Sequence, residues 1–166
     1  MQALKRYEQL VGVLHVEADA VIADEVDRAV FARLRAATLA RRPPVYFEEW
    51  DEPMISGIRW VAELIEIAGG VEVFPALSLH KNARERIVSA SELIAAAPDI
   101  IVGSWCGKKF VPEKVAARPG FDVIPAVRDG FLREIKSPLI LQPGPAALTD
   151  GLHALAGIIA EWAASR

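Results

Sequence analysis

Residues 43–70 read PPVYFEEWDEPMISGIRWVAELIEIAGG, and their order decides the fold. Pro43 and Pro44 stop any helix that precedes them, because proline has no amide hydrogen to donate and crowds the turn before it. Val45-Tyr46-Phe47 is apolar at consecutive positions, hence on both faces of a strand, as a buried parallel strand requires. The strand runs into Glu48-Glu49-Trp50, and Asp51-Glu52-Pro53 forms a charged loop. Ser56 is placed to cap a helix carrying Ile58, Val61, Leu64, Ile65 and Ala68. Gly69-Gly70 supplies the left-handed stop.

Upstream, Leu4, Tyr7, Leu10, Val11 and Leu14 recur at helical spacing, and the pattern resumes from Ala18 through Val21, Ile22, Val26, Val30 and Leu34. The spacing predicts a long amphipathic helix over residues 3–40, so residues 1–42 form a helical unit and residues 43–166 a lobe. Downstream, residues 71–86 look irregular. Ser89-Ala90-Ser91-Glu92 matches the capping box and opens a short helix through Ala97. Pro98-Asp99 turns into a second buried strand, Ile100-Ile101-Val102-Gly103-Ser104, with Trp105-Cys106-Gly107-Lys108-Lys109-Phe110 as its exit loop. Pro112 suits the first turn of a short helix through Ala117. Residues 120–130 are rich in turns, Phe131 to Ile135 is a third strand, and residues 136–145 are its exit loop. A last helix over about residues 146–163 carries Leu152, Leu155, Ile159 and Trp162.

Strands alternating with helices predict an α/β class: a Rossmann-like, three-layer lobe with a mostly parallel sheet, preceded by the long helix. In such a sheet, ligands meet the loops that leave the carboxyl ends of the strands. Those loops hold EEWDEP, SWCGKKF and KSPLILQPGP, which are expected to converge at one edge.

The chain has 166 residues, 52% of them hydrophobic, enough for one lobe with a real core. Nineteen basic against 22 acidic residues leave a net charge of −3, with no general attraction to nucleic acid or anionic lipid. One cysteine, Cys106, excludes an internal disulfide. The first twenty residues lack the pattern of a secretory signal, and no apolar run reaches the length of a membrane helix. The expectation is a soluble protein without membrane insertion, cytoplasmic as written.

The quoted stretch, extended to Val71-Glu72-Val73-Phe74-Pro75, resembles the start of the second lobe in the cobalamin and iron-siderophore substrate-binding proteins of ABC importers. Ala97-Pro98-Asp99 leading into Ile100-Ile101-Val102-Gly103 is similar to that family's next helix-to-strand step. Ile124-Pro125-Ala126-Val127, a turn glycine and Phe131-Leu132-Arg133-Glu134-Ile135 resemble its next signature. The resemblance covers about residues 44–162. EEWDEP and SWCGKKF are closer to a subgroup commonly labelled cobalamin-binding.

The resemblance implies a class III substrate-binding half: the C-terminal lobe plus the bridging helix, with the N-terminal lobe absent from this sequence. It implies a binding module and not an enzyme, with no cofactor and cobalamin as the expected ligand. An iron-siderophore is the alternative, as is an assembly half-domain completed by a partner chain or a second copy. It also implies an ABC permease as partner, and a periplasmic location as the alternative to the cytoplasmic one.

The ligand-binding candidates are Glu49, Trp50, Asp51, Glu52, Trp105, Cys106, Lys108, Lys109, Ser137 and Gln142. Trp50 and Trp105 end two strands, where a ring can lie on a corrin and remove apolar area from water at roughly 25 cal/mol per Å²; the plainer reading is packing at the rim. Glu48, Glu49, Asp51 and Glu52 can accept hydrogen bonds from ligand amides or hold a cation; the plainer reading is a solvated loop with one carboxylate paired to Lys108 or Lys109. The alternation of a strand sends Glu48 and Glu49 to opposite faces. Lys108 and Lys109 suit anionic ligand groups, and Ser137 and Gln142 offer neutral hydrogen bonds. Cys106 lacks the oriented histidine that a catalytic cysteine needs, since His15, His80 and His153 sit in no recognisable motif. Glu92 lies near the place where the family carries a permease-docking glutamate, although its capping role explains it without a partner. No Walker loop, zinc-spacing pattern or dinucleotide fingerprint is present, so no metal or catalytic residue is assigned.

Overall fold

A computed structural model describes residues 41–166 of the chain. The helix expected over residues 3–40, and His15 with it, lies outside the described residues.

Strand β1 (Pro44–Asp51) is central and entirely buried from Val45 to Glu48. On one side it pairs in parallel with β4 (Ile100–Gly103), Val45 opposite Ile100 and Glu48 opposite Gly103. Strand β4 pairs in parallel with β5 (Leu132–Glu134), Gly103 opposite Glu134. On its other side β1 meets two short strands. Its first residues pair in parallel with β3 (Val71–Glu72), and its last ones in antiparallel with β2 (Met54–Ser56). The sheet is therefore mostly parallel with helices against it, as the alternation of elements requires.

The helices are α1 (Arg59–Ile67), α2 (Pro75–Ser78), α3 (Ala90–Ala96), α4 (Pro112–Ala116), α5 (Pro125–Arg128), α6 (Ser137–Ile140) and α7 (Leu152–Ala164), the last preceded by a wide π-helical turn at Ala147–Gly151. Gly69, at φ 98°, supplies the left-handed stop after α1.

Alternation along the strands builds two cores. Val45 and Phe47 of β1 pack with Ile100, Val102, Leu64, Ile65, Leu155 and Ile159 on the face covered by α1 and α7. Tyr46 and Ile101 point the other way, into Leu93, Phe110, Val115, Phe121 and Ile124.

Two expectations are corrected here. Ser56 does not cap α1: it belongs to β2 and its hydroxyl donates to the Arg86 carbonyl at 3.2 Å, while the helix begins after Ile58 without a side-chain cap. Residues 71–86 are not wholly irregular: β3, α2 and a 3₁₀ turn at Ala83–Arg86 lie within them. A two-residue strand and a four-residue helix are too short to leave a periodic trace. The capping box forms as read, the Glu92 carboxylate accepting from the Ser89 amide at 2.8 Å and hydroxyl at 2.6 Å.

Two features of this frame carry measurable consequences. Gly103 lies beneath the Phe110 ring, and a Cβ there would stand 1.8 Å from Cδ2 of that ring. Gly103→Ala is expected to cost about 1–3 kcal/mol by overpacking, read as a lower urea midpoint. Glu72 is 3% exposed; one carboxyl oxygen accepts the Phe74 amide at 3.0 Å and the other has no partner among the described residues. Burial pushes this carboxyl up from 4.5 to about 8. The folded chain thus holds a proton that the unfolded chain releases near pH 4.5, and the associated stability is complete below pH 4.5 and lost as pH rises through about 8. Thermal melts of Glu72→Gln and the parent should diverge in favour of the variant as pH rises across that window.

Candidate functional site

Parallel strands share one direction, so the carboxyl ends of β1, β4 and β5 emerge along one edge, with Glu48, Gly103 and Glu134 level across it. At this edge the Glu48 carboxylate is 0% exposed. Arg118, on the turn after α4, grips it with both arms of its guanidinium, at 2.6 and 2.9 Å. The Trp105 indole N–H donates to the same carboxylate at 3.0 Å. Burial alone would lower the Arg118 pKa, but the hydrogen bonds and charge of Glu48 outweigh it and raise it. The hydroxyl of Tyr46 is buried beside this pair, and burial, reinforced by Glu48, holds its pKa well above the usual phenol range.

Above the buried pair the end of β1 meets the exit loop of β4. The Lys108 ammonium pairs with the Asp51 carboxylate and sits 4.3 Å from the centroid of the Trp50 ring and 5.1 Å from that of Trp105. Burial pushes the Asp51 carboxyl up, but the hydrogen bonds from Lys108 and the backbone, with the nearby positive charges, leave it below the usual value. Trp50 is half-buried, and its N–H donates to the Glu52 carbonyl at 3.0 Å. Trp105 is 3% exposed and packs edge-on against Phe110, centroids 5.0 Å apart.

The expected residues are thus divided. Trp50, Asp51, Trp105 and Lys108 come together. Trp105 does so as a buried wall and not as an open ring face. Glu49 turns to Arg86, which forks onto it with its longer arm at 3.2 Å. Glu52, Cys106 and Lys109 are exposed at the rim. Ser137, in the first turn of α6, and the exposed Gln142 make no side-chain hydrogen bond to this group. The third exit loop folds toward the other core, where Ile135 and Ile140 pack and the Ile140 carbonyl accepts the Trp60 indole N–H at 3.0 Å.

Of the four clustered carboxylates, Glu48, Glu49 and Asp51 are each committed to a cationic side chain. Arg86 and Arg118 were missed by sequence reasoning. Each meets its carboxylate across 37 and 70 residues respectively, and neither stands in a motif.

The periplasmic binding protein family model matches residues 9–139. The chain belongs to the periplasmic binding protein family. No curated protein matches it by sequence. Among solved structures it is similar to a possible iron-binding, periplasmic solute-binding protein from Staphylococcus epidermidis, with TM-score 0.67 and 22% identity over 82% of this chain and 52% of that one. It is also similar to the periplasmic heme-binding protein RhuT from Roseiflexus sp. RS-1, with TM-score 0.61 and 20% identity over 84% and 56%. A third similar structure is the periplasmic vitamin B12 binding protein BtuF of Vibrio cholerae, with TM-score 0.60 and 15% identity over 84% and 51%. The chain spans about half the length of these relatives. No helix among the described residues is long and apolar enough to cross a membrane.

The two ion pairs at this edge should behave very differently. Arg118→Ala strands a buried Glu48 charge and is expected to cost about 3–5 kcal/mol. Lys108→Ala opens a pair whose lysine is 41% exposed and should cost about 1 kcal/mol or less. Chemical denaturation of both variants against the parent checks the contrast.

Proposed function

We propose that the chain is a small-molecule binding module of the ABC-importer kind, non-enzymatic, and that its ligand is a corrinoid of the cobalamin type. Proteins of this family bind small ligands and work with ABC permeases. The observation that carries the reading is the meeting of the end of β1 with the exit loop of β4 at one sheet edge, where the half-buried Trp50 is held by its own N–H bond and flanked by Lys108. Such an edge offers an aromatic face for a macrocycle, with Glu52, Lys109 and the Cys106 loop as polar rim groups. The likeness of EEWDEP and SWCGKKF to the cobalamin-binding subgroup favours the corrinoid over an iron-siderophore.

In this reading the described residues are a C-terminal lobe, and a ligand lies between this edge and a second wall supplied by an N-terminal lobe, a second copy or a partner chain. Ser137 and Gln142 then serve from the far side of the edge, on the third loop. The reading carries a periplasmic location with it, in place of the cytoplasmic one drawn from the first twenty residues. Permease docking through Glu92 belongs to the same proposal. Its carboxylate is exposed, and it already accepts both hydrogen bonds of the Ser89 cap, which hold its pKa below the usual value. A permease arginine would share that carboxylate with the cap.

Calorimetric titration with cyanocobalamin, haemin and a ferric trihydroxamate tests the ligand. Cyanocobalamin should bind in the micromolar range, and Trp50→Ala should weaken it by about tenfold, the loss of one aromatic contact. Binding of the hydroxamate alone would move the assignment to siderophores. No heat with any of the three up to high micromolar concentrations would remove it.

A further inference from the structure

Lys108 is held as a ligand is held. Its ammonium is flanked by two indole rings, at 4.3 and 5.1 Å, and closed by the carboxylate of Asp51. Two aromatic rings and one carboxylate around a single cation are the components of an aromatic cage, in which ring quadrupoles and a counter-charge replace the water around an ammonium group.

The walls do not depend on the lysine. Trp50 is pinned through its N–H to the Glu52 carbonyl at 3.0 Å. Trp105 is pinned through its N–H to Glu48 at 3.0 Å, and Glu48 is fixed in turn by the two arms of Arg118. Trp105 also rests on Phe110, which lies over Gly103. Asp51 is the last residue of β1 and is placed by the sheet. The occupant is held far less firmly than the walls. Residues 106–109 are exposed, Gly107 has φ 77°, and no atom lies within 4 Å of where its Cβ would be. The lysine thus reaches the cage from an exposed loop, whereas the rings and the carboxylate are tied to the sheet and its buried ion pair.

We propose that Trp50, Trp105 and Asp51 form a binding cage for an organic ammonium group, that Lys108 occupies it in the free protein, and that a ligand bearing such a group enters by displacing Lys108. The side chains of a corrinoid are amides, so this is a second class of ligand for the same edge. It rests on reading that edge as ligand-facing. Lys108 sets the threshold: a weak cation does not evict a tethered ammonium, whereas one that fills the cage and brings further contacts to the rim does.

The test uses tetramethylammonium as the probe, with tert-butanol as its uncharged counterpart in shape, at ionic strength held constant with sodium chloride. Tryptophan fluorescence and calorimetry are followed for the parent, Lys108→Ala, Lys108→Met and the double variant Lys108→Ala with Trp50→Ala. Emptying the cage should tighten tetramethylammonium binding by at least about tenfold over the parent, tert-butanol should bind more weakly, and removing Trp50 should cancel the gain. Equal affinity in the parent and both single variants, equal binding of tert-butanol, or full binding by the double variant would overturn the cage. Lys108→Met keeps the stem of the side chain and gives the same comparison should the alanine variant fold poorly. Cyanocobalamin titration of the parent addresses the corrinoid reading alone, and neither result there bears on the tetramethylammonium comparison.

Discussion

Glu48 ends the buried part of β1 with a carboxylate that water does not reach, and a charge so placed must be answered completely by its neighbours. Two arms of Arg118 and the indole N–H of Trp105 answer it. Those partners come from different segments, the exit loop of β4 and the turn after α4. One desolvated charge therefore fixes the relative placement of three stretches of chain. Everything at the edge inherits that placement: Trp105 is oriented by its N–H bond to Glu48, and Phe110 and Lys108 take their positions against it. A hydrophobic side chain at position 48 could fill the same space, but it would leave the indole and the guanidinium without a reason to meet.

Much of the fold was legible because it rests on local chemistry. The runs Val45-Tyr46-Phe47 and Ile100-Ile101-Val102 declare buried parallel strands, Gly69 declares the end of a helix, and Ser89 with Glu92 writes out its own cap. What escaped was short or bound at long range. Strand β2 was hidden by Ser56, which has the chemistry of a helix cap but meets the Arg86 carbonyl first. Strand β3 is two residues long and exists only because β1 offers it an edge.

The site was legible to a different degree. Alternation along β1 separated Glu48 from Glu49, and the structure sends them to Arg118 and Arg86 respectively. The pairing of Asp51 with Lys108 was within reach, since Asp51 ends β1 and Lys108 stands in the loop that leaves the neighbouring parallel strand. The two arginines were not, because no local pattern marks a cation whose partner lies across the sheet. The third loop shows the limit of topology as a guide. It leaves the same edge, but its Ile135 and Ile140 pack into the core covered by α1 and α7, a long-range contact that no local pattern announces.

The sheet also acts as a partition. Among the described residues, the packing that holds Trp105, Phe110 and Phe121 shares no side chain with the packing that holds Leu155, Ile159 and Trp162. The second exit loop is rooted in one compartment and the third in the other. A substitution that repacks one compartment is thereby insulated from the other, so residues 136–145 can change while the packing of Trp105 on Phe110 is kept.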